Sequence, residues 1–133
     1  YDLLAQASLL VRGGAAFVAT NFDATYPSEQ GEVPGAGAML SPIVTATGVT
    51  PTVIGKPYPA MFAEALRRLG THAADTLMVG DRLETDIDGA NAAGLQTALV
   101  LTGISKRADI GERRVGYVLE NLGALGRLLE AVK

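Results

Sequence analysis

Two aspartates stand out as able to do chemistry, Asp81 and Asp86, in the stretch Val79-Gly80-Asp81-Arg82-Leu83-Glu84-Thr85-Asp86-Ile87-Asp88-Gly89-Ala90. The apolar run at 76–79 reads as a buried strand, so Asp81 is expected at its exit and Asp86 in the first turn of the helix that follows. Gly80 permits a tight exit, which lets the two carboxylates converge above a sheet edge. A hard cation such as magnesium takes oxygen ligands, commonly one or two carboxylates completed by phosphate and water. Taken alone, the pair also suits a simpler role, since acidic side chains cap and favour helix N-termini. An EF-hand loop is excluded, because Leu95 stands where its bidentate glutamate belongs. Asp88 is expected to face solvent or pack on the helix.

Lys56 is the second candidate. It follows the short apolar segment Thr52-Val53-Ile54 and is flanked by Gly55 and Pro57, a setting that can place an ammonium beside a phosphate. It is not a P-loop lysine: Pro57 replaces the required Ser or Thr, and Thr50 replaces the upstream glycine. His72 is the single histidine, and it lies between a helix and a strand with no nucleophile-elbow pattern nearby. A surface loop position is expected for it.

These residues need elements to hold them. Leu3, Leu4, Ala7, Leu10 and Val11 recur at helical spacing up to Gly13-Gly14, and residues 15–19 read as a short buried strand. Pro27, Gly31, Pro34, Gly35 and Gly37 mark a loop. A helix over about 36–47 should end at Gly48, and Thr52-Val53-Ile54 makes another strand. The helix over 59–69 carries an apolar stripe of Met61, Phe62, Ala65, Leu66 and Leu69 and should end in a Gly70 cap. Further helices are expected over about 84–93 and after a cap at Asn121, with strands within 96–102 and at 117–119. Strands alternate with helices, and the apolar strands look buried on both faces. The fold class is therefore α/β, a parallel sheet covered by helices, with Asp81, Thr102 and Lys56 near one sheet edge.

Bulk composition narrows the function. Hydrophobic residues make up 48% and charged residues 19%, which marks globular material. A net charge of −3 argues against a broad nucleic-acid surface, and no apolar run suits a membrane span. The chain has no cysteine, so disulfides and thiolate metal sites are excluded; this fits a cytoplasmic protein. The chain opens on Tyr1 with residues 2–11 already patterned as the middle of a helix, so it is expected to be part of a longer fold.

Gly55-Lys56-Pro57 followed by Gly80-Asp81-x-x-x-Thr85-Asp86-Ile87-x-Gly89-Ala90 resembles motifs three and four of the haloacid-dehalogenase (HAD) superfamily. Ala19-Thr20-Asn21-x-Asp23 with Tyr26-Pro27, then Pro34-Gly35-Ala36-Gly37, resembles the cap of its subfamily IIA, which includes nitrophenylphosphatase-like and sugar- or nucleotide-phosphate phosphatases. The resemblance implies a Rossmann-like core with an α/β cap, residues 1–51 being the C-terminal part of the cap and 52–133 the C-terminal part of the core. It implies Mg2+ held by Asp81, with Asp86 binding it or orienting its water. Lys56 would neutralise charge on the nucleophile and phosphoryl group, and Thr20, Asn21 and Asp23 would touch the leaving group, although a polar turn after a strand explains those three equally well. The substrate would be a small phosphorylated metabolite, cleaved through an aspartyl-phosphate.

The family's nucleophilic Asp-x-Asp has no counterpart here, since the only such triplet is Asp86-Ile87-Asp88. The missing N-terminal half would have to supply it, so this chain alone is expected to be inactive and poorly stable. A homodimer through the cap is compatible with the resemblance, though no residue pattern points to one. The competing reading is a non-catalytic α/β module that retains the metal site. A dehalogenase, which needs no magnesium, is disfavoured by Asp81 and Asp86.

Overall fold

The opening periodicity folds as helix α1 (Asp2–Arg12), whose chain reverses at Gly13 and Gly14, the latter at φ 94°. The computed structural model describes residues 1–131. They divide into two compact units, Tyr1–Gly55 and a second from Lys56 onward.

In the first unit α1 is followed by β1 (Val18–Ala19), β2 (Thr25–Ser28), β3 (Gly31–Pro34), α2 (Ala36–Thr47) and β4 (Thr52–Val53). β1 and β4 pair in parallel, Val18 opposite Thr52 and Ala19 opposite Val53. Strand β1 is shorter than expected, and only Ala19 of its two residues is buried. The loop expected around Pro27 and Gly31 is instead an antiparallel hairpin, with Thr25 opposite Pro34 and Ser28 opposite Gly31. An isolated two-stranded ribbon has free outer edges, so prolines that lack an N–H are tolerated there. Gly31 takes φ 118° at the turn, which favours glycine. Helix α2 ends as expected at Gly48, in the left-handed conformation at φ 72°. The Arg12 guanidinium donates to the Ala46 carbonyl and ties α1 to α2.

The second unit contains α3 (Pro59–Leu69), β5 (Leu77–Gly80), α4 (Asp88–Ala92), β6 (Gln96–Val100), β7 (Tyr117–Leu119) and α5 (Leu122–Ala131). The three strands form a parallel sheet in the order β5-β6-β7. This mixture of parallel strands and helices is the expected α/β class. Only the central strand is as buried as expected: Thr97, Ala98 and Leu99 are covered, whereas all of β5 is half-buried because it is an edge of the described sheet. Gly70 caps α3 at φ 66°, and the Asn121 side chain accepts the Ala124 N–H at 3.1 Å at the start of α5. Of the apolar stripe on α3, Phe62 is the buried member.

The largest departure lies beside the candidate metal residues. The helix expected over about 84–93 begins as a wide turn, Leu83–Ile87, before α4. Ile87 N–H reaches back to Arg82 C=O at 3.3 Å, a five-residue span in place of the usual four. The wider turn carries Leu83 and Ile87 into the core with Leu99, all three fully buried, while Leu101, Ile110 and Val115 pack against them. Among the described residues no helix is long and apolar enough to cross a membrane.

Candidate metal and phosphate site

Strand β5 delivers the chain to Asp81, and the wide turn folds Asp86 back beneath it. One Asp86 oxygen, Oδ2, accepts the backbone N–H groups of Asp81 and Arg82 at 3.2 and 3.1 Å. The other, Oδ1, meets Lys56 Nζ at 2.5 Å. Asp86 is only 3% exposed, so an unpaired carboxylate there would be costly, and these partners offset that cost. Gly80 is required on geometric grounds, because a side-chain carbon on it would run into the Asp86 carboxylate. The Lys56–Pro57 peptide is cis.

Asp81 is arranged differently. Its Oδ2 accepts the Ile104 N–H at 2.9 Å, and its carbonyl accepts the Ser105 N–H at 3.0 Å. Among the described residues Asp81 takes part in no salt bridge, in contrast to Asp86. The cluster therefore holds one neutralised carboxylate and one carboxylate open to a cation. That donor set fits magnesium, which takes few protein carboxylates and fills its remaining positions with water and phosphate oxygens. Among the described residues no group of three or more His, Asp or Glu side chains could hold a metal, so such an ion would need oxygens from elsewhere.

Lys56, Asp81 and Asp86 are thus brought together. Thr20, Asn21 and Asp23 belong to the first unit, where they form a polar corner after β1. Asn21 Oδ1 accepts the Asp23 N–H at 3.3 Å, and Thr20 is exposed, its carbonyl packed against Gly55 so closely that any Cβ there would collide. Asn21 and Asp23 line a cavity of about 280 Å³ together with Tyr26 and Met39. His72 is exposed in the connection after α3, as expected. Asp88 faces outward and pairs with Arg113 at 3.1 Å.

Sequence reasoning missed Gly103, Ile104 and Ser105, which follow β6 and wrap the Asp81 side chain. Ser105 Oγ accepts the Leu83 N–H at 3.0 Å, and a Cβ on Gly103 would overlap the Asp81 carboxylate. The available signal was positional: β6 runs parallel to β5, so the residues leaving it emerge on the edge where Asp81 sits.

A family model for HAD-hydrolase-like proteins matches residues 53–125. The D-glycerol 3-phosphate phosphatase of Mycobacterium tuberculosis is 53% identical over 126 residues, covering 92% of this chain and 35% of that protein. The acid sugar phosphatase of Staphylococcus aureus is 43% identical over 115 residues, covering 86% of this chain and 44% of that protein. Among solved structures, the glycerol phosphate phosphatase of Mycobacterium tuberculosis in complex with magnesium superposes with a TM-score of 0.79 at 48% identity, over 94% of this chain and 39% of that one. The chain belongs to the HAD-like hydrolase family. Within that family its relatives are phosphatases of subfamily IIA, and it spans less than half the length of each protein just described.

Proposed function

We propose that this chain is part of a magnesium-dependent phosphatase that hydrolyses small phosphate monoesters. The observation that carries the reading is the pairing of Lys56 with the saturated Asp86, beside an Asp81 open to a cation. Bound magnesium would supply Lewis-acid polarisation of the phosphoryl oxygens and withdraw charge from them. Asp81 would hold it, and Asp86, both of whose oxygens are engaged, would act by fixing Lys56 and the β5 exit. Lys56 would offset the negative charge that gathers on the transferring phosphoryl group. Its side chain is 38% exposed, which leaves the ammonium accessible to an incoming phosphate.

The nucleophile is proposed to lie outside residues 1–133. The sequence holds no Asp-x-Asp apart from the one in the wide turn, and the matched relatives are much longer. That carboxylate would attack phosphorus, release the alcohol and form an aspartyl-phosphate, which water then cleaves to phosphate. Residues 1–51 are proposed to be the C-terminal part of a cap and 52–133 that of the core. Thr20, Asn21 and Asp23 are proposed to contact the leaving group. Glycerol phosphate and sugar phosphates, named for the relatives, define the first substrates to try.

The test is turnover of a panel of phosphate monoesters by the full-length protein, with and without magnesium. Native protein should be active only with the ion, and Asp81→Ala should lose at least about 10²-fold in kcat. Activity that survives chelation, or an Asp81→Ala variant with native turnover, would sink the assignment.

A further inference from the structure

We infer that Gly103, Ile104 and Ser105 form a strap whose task is to set the orientation of the Asp81 carboxylate, with Ser105 and Gly103 as positioning residues for metal binding. The inference rests on the magnesium reading of Asp81 and goes beyond it to a segment outside the motifs that suggested that reading.

Two contacts converge on one ligand, and a third ties the strap to the turn beyond it. Ile104 N–H donates to Asp81 Oδ2 at 2.9 Å, which fixes the rotation of the carboxylate and leaves its other oxygen without a hydrogen-bond partner among the described residues. Ser105 N–H donates to the Asp81 carbonyl at 3.0 Å, so the strap grips main chain and side chain of the same residue. Ser105 Oγ then accepts the N–H of Leu83, the first residue of the wide turn that carries Asp86. Ser105 is 5% exposed and Leu83 fully buried, so water cannot readily replace that bond. One hydroxyl therefore links the strap to the turn bearing the second carboxylate.

Gly103 makes the close approach possible. A Cβ at this position would occupy the space of the Asp81 carboxylate. The glycine backbone is not in the left-handed region, so the need is for space and not for an unusual backbone angle. Outer groups that orient a metal ligand by hydrogen bonding typically change metal affinity by about 10–100-fold when removed. The same is expected of this strap.

The experiment measures Mn2+ binding to the full-length protein by the loss of the free-ion EPR signal, with thermal melting of the metal-free protein run in parallel. Ser105→Ala should weaken Mn2+ binding by about 10-fold or more at temperatures where the chain remains folded, and Ser105→Thr, which keeps the hydroxyl, should restore most of it. Gly103→Ala displaces the carboxylate without removing any hydrogen-bonding group; it should weaken binding at least as much, and it keeps the test intact if Ser105→Ala does not fold. Folded Ser105→Ala and Gly103→Ala proteins with native affinity, alongside an Asp81→Ala variant that no longer binds, would overturn the strap and leave the metal reading standing. Native affinity in Asp81→Ala would instead remove the metal reading and the strap with it.

Discussion

Lys56 Nζ stands 2.5 Å from Asp86 Oδ1 across a separation of 30 residues, and it ties the start of the second unit to the turn after β5. The carboxylate is 5% exposed and the lysine 38% at the side-chain level. Removing the lysine leaves a buried charge with only two backbone N–H donors, whereas removing the carboxylate leaves a lysine that water can reach. Lys56→Met should therefore destabilise the protein more than Asp86→Asn, by about 1–3 kcal/mol, below the range for a wholly buried pair. Urea unfolding of both single variants and the double variant checks this. The double variant should cost less than the sum of the singles, and strict additivity would show that the pair is not coupled.

Gly80 offers a second way to disturb the same carboxylate without altering any charge. Its missing side chain makes room for Asp86, whose atoms a Cβ would overlap. Gly80→Ala should force the β5 exit and the wide turn apart at a cost of about 1–3 kcal/mol, the usual range for overpacking. Denaturant midpoints give the measurement. A variant as stable as the native protein would mean that the turn has slack the geometry does not show.

Helices and their ends were the most legible part of this chain, because their causes are local. Gly48 and Gly70 sit at the left-handed caps expected of them, and Asn121 bonds the start of α5. The carboxylate pair and Lys56 were readable because each lies at an element boundary fixed by its immediate neighbours. The β2–β3 hairpin was not, since proline and glycine argue locally against a strand while pairing depends on a partner. The wide turn at Leu83–Ile87 was hidden for a related reason. Its register follows from burying Leu83 and Ile87 against Leu99 on a separate strand, and residues 84–93 alone read as an ordinary helix. The Gly103–Ser105 strap was missed because a glycine and a serine announce no chemistry until β6 is paired beside β5.

Glu64 on α3 provides a contrast with the buried pair. Hydrogen bonds from Arg67 and, to a lesser degree, Arg68 hold its carboxyl below the usual carboxylate range. A depressed folded-state value means the stabilisation is present above the unfolded carboxylate's titration and is lost as pH falls through the lower, folded value. All three side chains are well exposed, so the effect should be small and should fade at about 1 M salt, where charges are screened within about 3 Å. Melts of native protein and Glu64→Gln should differ slightly at neutral pH in low salt and coincide once the carboxyl is protonated. A difference that persists in acid would place the effect in packing or helix propensity.

Tyr117 is 52% exposed and Leu129 59%, and with Leu77, Leu125 and Leu128 they line an apolar cavity of about 210 Å³. The outer side of β5 has no partner strand among the described residues. An unpaired strand edge beside exposed apolar surface templates association between chains. The 133-residue chain on its own should therefore associate with rising concentration in sedimentation velocity. Leu129→Lys places a charge in the apolar patch and should shift the distribution toward monomer, since such charges act as gatekeepers. A chain that sediments as a monomer at every concentration and melts cooperatively would show that this edge and patch are protected in a way the contacts do not reveal.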